Sequence, residues 1–342
     1  MSNDHATITE DRPSLPLSLP LKTRISVALL TRVTDASRRS DGTINRRLLG
    51  FLDFRSPASP KPVNGVSTSD ITVDPDRNLW FRVFSPVDAG ATSQLPVIVF
   101  FHGGGFNFLS AASKAYDVIG RYYARKLPAV FVSVNYRLSP EHRFPSQYED
   151  GSDVLKFLDS KPEVLPSNAD LSKTFLCGDS AGGNIAHHVA VRACQSDPDT
   201  LKRVKLVGMI SMQPFFGGIE RTESETRLVR VPLLSLERTD WCWKAFIPDG
   251  DRDHWAINVS GPNAVDLASL ERFPDTLVIT GGHDPLRDWQ KKYYEWLKRC
   301  GKEAEMMDYP SACHAFYIFP ELQESRELVT EVKRFVTQKA GQ

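Results

Sequence analysis

A chain of 342 residues exceeds one ordinary domain in length, yet α/β proteins of that size often build a single core with an appended lid. Lys plus Arg and Asp plus Glu balance at 42 each, which excludes the net positive field that nucleic acid or an anionic membrane surface calls for and leaves small or neutral partners. The five cysteines, Cys177, Cys194, Cys242, Cys300 and Cys313, are odd in number, scattered and without a CxxC pair, which speaks against a disulfide framework and a zinc site and fits a reducing compartment.

Residues 1–20 are polar and Pro-rich with no apolar signal-type core, and they are expected to be a disordered tail. No segment offers the unbroken apolar run of a membrane span, so the expectation is a soluble protein of cytoplasm, with the nucleus as a second location. From Leu21, apolar residues at Leu21, Ile25, Leu29 and Val33 recur at helical spacing and predict a helix to about Ser37. A turn at Asp41-Gly42 and a short second helix in SRRSDGTINRRLLGFLD follow. Together they make residues 21–70 a helical arm, whose natural use is a lid over a cleft.

The pieces VSTSDITVD and NLWFRVFSP alternate apolar with polar around Asp74-Pro75-Asp76 and predict an antiparallel hairpin. The pattern then changes to short continuous apolar runs, LPVIVFF, AVFVSVNY, TFLCG, KLVGMISM and TLVIT, the mark of strands buried on both faces. The helical stretches YDVIGRYYARKL, QYEDGSDVLKFLDS, GNIAHHVAVRAC and WQKKYYEWLKRC separate them. Such repetition gives an α/β fold, a mainly parallel sheet with helices on both faces, over residues 71–342. The gap from 213 to 273 is longer than one buried strand requires and is expected to hold helices capping the carboxyl edge of the sheet.

Within this frame Gly178-Asp179-Ser180-Ala181-Gly182 lies between the strand TFLC and a helix. A sharp strand-to-helix turn needs small residues beside the serine, and it lifts the Ser180 hydroxyl above the sheet as a candidate nucleophile. Upstream, His102-Gly103-Gly104-Gly105-Phe106 follows LPVIVFF, and three glycines let the backbone aim N–H groups at a tetrahedral oxyanion. The Ala181 N–H is the expected third donor beside them. A serine hydroxyl needs a base and the base needs an acid, in the chain order serine, acid, histidine. His187 and His188 lie about two turns into the helix after Ser180 and point away. Asp284, on the loop GGHDPLRD after TLVIT, is the candidate acid, with Asp288 a turn later as its rival. EAEMMDY reads as a further strand and PSACHAF as the loop after it, which hangs His314 from the next strand edge as the candidate base.

HGGGF, GDSAGGN, DPLRD and the late histidine resemble the plant carboxylesterases of the hormone-sensitive-lipase group of α/β hydrolases, from about residue 22 to the end. FFGGIERTESE, DWCWKAFIPDG and SDGTINRRLLGFLD resemble most the branch that contains the soluble gibberellin receptor. The resemblance implies an α/β-hydrolase fold with Ser180, Asp284 and His314 as nucleophile, acid and base, Gly104, Gly105 and Ala181 as oxyanion donors with Gly103 supporting the turn, no cofactor and no metal. It implies also that the receptor keeps the serine but lacks the histidine, and has serine where this chain has Gly105. Tyr116 matches a ligand-contacting tyrosine of the receptor, and Phe106 joins it as a pocket candidate. The resulting expectation is a serine carboxylesterase acting through an acyl-enzyme on a small-molecule ester. The alternatives are a receptor-like binding protein, or a lyase or cyclase using the same three residues.

Overall fold

The computed structural model describes residues 19–51, 53–87, 94–229 and 231–341. The tail expected over residues 1–20 therefore falls outside the described residues as far as residue 18. The strands β1 (Val66–Asp74), β2 (Leu79–Pro86), β3 (Leu95–Phe101), β4 (Val130–Asn135), β5 (Ala169–Asp179), β6 (Leu206–Met212), β7 (Asp275–His283) and β8 (Ala304–Cys313) form one sheet in the order β1-β2-β4-β3-β5-β6-β7-β8. The hairpin β1–β2 and the β2–β4 pair are antiparallel, and every other neighbour pair is parallel.

Alternate residues of the central strands feed two separate cores, because strand side chains leave opposite faces. On one face Val97, Val99, Phe101, Leu176 and Met209 pack under α4 (Ser146–Ser160), α5 (Ala181–Gln195) and α8 (Arg287–Arg299). On the other, Ile98, Phe100, Phe175, Cys177 and Ile210 pack under α3 (Lys114–Lys126) and α9 (Gln323–Ala340). The sheet's carboxyl edge is thus held rigidly from both sides, and the segments leaving it carry the site. Between β6 and β7 stand two more helices, α6 (Glu223–Arg227) and α7 (Leu236–Phe246).

In the arm, α1 (Leu21–Ser37) forms over the predicted span, but rotated from the expected orientation. Of the four residues that predict it, Leu21, Ile25 and Leu29 are 70, 60 and 54% exposed, and Val33 is half-buried. The buried face is Thr23, Val27, Thr34 and Ser37, mostly polar, and its hydroxyls are satisfied. Thr23 Oγ1 donates to Glu321 at 2.7 Å, and the Thr34 and Ser37 hydroxyls donate to the Leu30 and Thr34 carbonyls at 2.8 Å. A polar face that bonds its own backbone carries no hydrophobic signal, so periodicity marks the helix but not the face it buries. After a turn at Gly42, φ 82°, comes α2 (Arg46–Gly50). Among the described residues no helix is long and apolar enough to cross a membrane.

Candidate active site

β5 ends at Asp179 and α5 begins at Ala181, so Ser180 alone makes the turn, at φ 54° and ψ −118°. A side chain held there costs roughly 1–3 kcal/mol and persists only where its surroundings impose it. They do so here: the Ser180 N–H donates to the Met212 carbonyl at 2.9 Å, and the Ser180 carbonyl accepts from the Phe215 N–H at 2.8 Å. The flanking glycines are steric necessities. A Cβ on Gly178 would collide with the Gly182 carbonyl, and one on Gly182 with the Phe101 carbonyl.

The hydroxyl so presented meets His314. His314 Nε2 lies 3.0 Å from Ser180 Oγ, and His314 Nδ1 lies 2.8 Å from Asp284 Oδ2. A carboxylate only accepts, so Nδ1 carries the proton and Nε2 is left to receive one from the serine. Asp284, with no exposed surface, also accepts from the Leu286 N–H at 2.9 Å and from Gln290 Nε2 at 2.8 Å. The rival Asp288 is engaged elsewhere, its Oδ2 accepting from the Ser224 N–H at 2.7 Å. His187 and His188 are buried in aromatic packing, and His187 Nδ1 meets the Tyr293 hydroxyl at 3.0 Å. β8 runs four residues further than expected and carries the chain to Cys313, directly before His314.

Gly104 and Gly105 of the HGGG loop line the same cavity as Ser180 and His314. Peptides are planar and trans, so pinning a carbonyl on one side aims the next N–H to the other. His102 Nδ1 donates to the Gly103 carbonyl at 2.8 Å, and the Asn107 and Phe108 N–H groups both donate to the Gly104 carbonyl at 3.0 Å. These contacts orient the N–H groups of Gly104 and Gly105, and among the described residues neither those two nor Ala181 gives its N–H to a protein acceptor. The Gly103 N–H is not available in that way: it donates to Asp179 Oδ1 at 2.7 Å and to the Tyr116 hydroxyl at 2.8 Å. Gly103 therefore belongs to the loop's support and not to its donors.

Asp179, beside the serine, gathers three donors in the interior. The Tyr116 hydroxyl donates to its Oδ2 at 2.9 Å and that of Tyr317 at 3.2 Å, while the Gly103 amide takes Oδ1. Burial pushes its carboxyl up to about 6, the hydrogen bonds and nearby His314 pulling the other way.

Above Ser180 opens a cavity of about 540 Å³. That lies within the range of small-molecule sites. Its walls are Leu29, Leu30, Val33 and Leu49 of the arm, Leu233, Leu234 and Cys242 of the 213–273 segment, and Phe108, Leu138, Phe215 and Ile318. Ser180, His314, Gly104, Gly105 and Tyr116 form its floor. Three arginines at the rim are ion-paired: Arg46 with Glu141 at 2.5 Å, Arg55 with Asp53 at 2.9 Å and Arg238 with Asp35 at 2.6 Å. Phe106, expected against the substrate, is a correction: it is fully buried behind the loop, stacked on Phe246 with ring centroids 3.9 Å apart. Its φ of 66° swings the side chain away from the cavity and into the core. Among the described residues no three His, Cys, Asp or Glu side chains gather as a metal site requires.

A family profile described as the α/β hydrolase fold matches residues 98–318. The chain belongs to that family. This α/β hydrolase is 41% identical to the gibberellin receptor GID1C of Arabidopsis thaliana, over 93% of this chain and 94% of the receptor. It is 37% identical to carboxylesterase 20 of the same plant, over 77% of this chain and 83% of that one. Among solved structures it superposes on the hyperthermophilic esterase of Pyrobaculum calidifontis with a TM-score of 0.72 and 28% identity, covering 95% of this chain and 99% of that chain.

Several side chains that hold this hydrolase's site escape motif reading. Gln213 follows β6 and grips the backbone on either side of His314, donating to the Cys313 carbonyl at 3.2 Å and accepting from the Ala315 N–H at 2.7 Å. Gln290 lies six residues after Asp284, one helical turn into α8. Neither has a sequence signature, since the contacts are made across the fold. Asp179 had one, its place inside the serine motif.

Proposed function

We propose that the protein is a serine carboxylesterase acting on esters of small, largely apolar molecules. The observation that carries the reading is the continuous chain Asp284–His314–Ser180, at 2.8 and 3.0 Å, opening into an apolar cavity. Ser180 Oγ attacks the ester carbonyl while His314 Nε2 takes its proton, and Asp284 holds the resulting imidazolium. The N–H groups of Gly104, Gly105 and Ala181 receive the oxyanion, a contribution of about a hundredfold or more per donor. His314 then protonates the departing alcohol, leaving an acyl-Ser180, and next activates the water that releases the acid. In this reading residues 21–70 serve as a lid and 213–273 as a cap on a hydrolase domain spanning 71–342. The family's plant carboxylesterases and the paired, charge-balanced rim support a neutral ester.

Hydrolysis of para-nitrophenyl acetate and butyrate, wild type against Ser180→Ala, tests it. A loss of a thousandfold or more is expected, and equally slow turnover by both proteins would sink the proposal.

The receptor relative at 41% identity favours a second reading, ligand binding beneath the arm without turnover. Against it stands a base placed 3.0 Å from the serine, which binding alone does not need. Calorimetry with a gibberellin decides: no heat at high micromolar ligand removes this reading. Mass spectrometry of product formed in ¹⁸O-labelled water separates hydrolysis, which incorporates the oxygen, from elimination by the same three residues.

A further inference from the structure

Through one residue of the cavity rim the arm also reaches the HGGG loop. Arg46 of α2 reaches inward and donates to the backbone carbonyl of Asn107 and, at 2.7 Å, to that of Ser139. Its position is locked by Glu141, reached from Nε at 3.0 Å and from Nη2 at 2.5 Å. Asn107 follows the HGGG loop two residues after Gly105. Its backbone N–H pins the Gly104 carbonyl and so aims the Gly105 N–H, and its side-chain amide donates to the Gly105 carbonyl.

From this geometry we infer that Arg46 and Asn107 are positioning residues for the oxyanion donors, so that docking of the arm sets the loop as well as covering the pocket. The inference rests on the esterase reading above.

The loop needs such fastening. Gly104, Gly105 and Phe106 stand in succession at φ 104°, 60° and 66°, a conformation a phenylalanine adopts only when its surroundings over-determine it. Three supports are present. Phe106 stacks on Phe246 of α7, the Phe106 carbonyl accepts from the Ser139 N–H at 3.0 Å, and Arg46 ties the Asn107 and Ser139 carbonyls together. The first two belong to the body of the fold, whereas Arg46 alone arrives from the arm. Its planar fork matters, because two carbonyls and a carboxylate are engaged at once and a lysine has only a point charge to offer.

The test compares Arg46→Ala, Arg46→Lys, Asn107→Asp and Asp35→Ala, the last removing the arm's ion pair with Arg238 of α7 without touching the loop. For each, kcat and KM on a para-nitrophenyl ester are measured, with Ki for a trifluoromethyl ketone, whose hemiketal oxyanion needs the same donors as the transition state. Arg46→Ala is expected to lower kcat about tenfold and raise Ki by a similar factor, with KM within about twofold. Arg46→Lys should fall between it and wild type. Asn107→Asp, nearly isosteric but with a carboxylate facing the Gly105 carbonyl, should match Arg46→Ala or exceed it. Asp35→Ala should change KM and leave kcat and Ki near wild type. If Arg46→Ala changes KM alone, as Asp35→Ala does, or if folded Asn107→Asp keeps wild-type kcat and Ki, the inference is overturned while the esterase reading stands. Wild-type protein without Ser180-dependent turnover overturns both.

Discussion

Gln213 clamps His314 from behind, its amide bonded at once to the carbonyl before the histidine and to the N–H after it, at 3.2 and 2.7 Å. The grip matters because Ala315 stands at φ 60°, a left-handed conformation that an L residue rarely takes without support. Gln213→Ala is therefore expected to let the His314 loop relax and to lower kcat by about ten- to a hundredfold with little change in KM. It should also cost about 1–3 kcal/mol of stability, since the Ala315 N–H loses its partner. Steady-state kinetics and urea denaturation check both. Unchanged kcat in a folded variant would show that the loop holds itself.

His314→Val removes the base but leaves the cavity walls in place. Turnover should fall by at least about a thousandfold, while binding of a non-hydrolysable ester analogue stays within a few-fold of wild type. Residues that act as a unit fail together, so Ser180→Ala combined with His314→Val should be no slower than either alone. Additive losses in the double variant would mean that Ser180 and His314 act separately. Single-turnover kinetics and calorimetry read the two quantities.

The two motifs were legible because their residues are neighbours in sequence and stand at strand ends, where backbone sterics dictate both the turn and the residue types. Asp284 was legible over Asp288 because Asp288 reads as part of the following helix, and α8, which starts at Arg287, carries it toward Ser224. Phe106 was misjudged for a related reason: its side-chain direction follows from a positive φ that no composition rule supplies. Helix α9 was readable from Leu328, Val329, Val332, Phe335 and Val336, all buried at helical spacing, although nothing after the histidine loop was assigned. What stayed beyond reach was contact between distant segments: Gln213 with the His314 loop, Arg46 with Asn107, and the inward polar face of α1.

Gly105 is where this chain differs from the serine that the receptor resemblance implies, and the structure gives a steric reason for the glycine. Its φ is 60°, and a Cβ there would stand 2.6 Å from Cys242 Sγ. Gly105→Ser should displace the loop and reduce kcat by about a hundredfold, the effect of a lost oxyanion donor. Adding Cys242→Ala removes the clash but not the backbone strain, so the double variant should recover part of the loss. If Cys242→Ala restores nothing, the strain at φ 60° and not the sulfur decides the residue. Kinetics of the three variants on one ester settle it.

Acid should unfold this protein through buried histidines other than His314. Burial holds the His187 imidazole down to about 3 and the His102 imidazole down to about 4, against an ordinary value of 6.5. The unfolded chain therefore binds protons that the folded state refuses. Each group's contribution is complete above pH 6.5 and is lost progressively as pH falls toward 4 for His102 and 3 for His187. At pH 5 that amounts to about 2 kcal/mol per histidine relative to neutral pH. Asp179 works in the opposite sense: its carboxyl, raised to about 6, binds its proton more readily in the folded state, so its burial costs most above pH 6 and is relieved below. Two histidines against one aspartate leave a net loss of stability between pH 6.5 and 5. His187→Phe keeps the aromatic packing and removes one titrating group, so urea unfolding at pH 7.5, 6 and 5 should show a shallower decline by about one proton. A parallel decline in the variant would mean that His187 is protonated inside the fold.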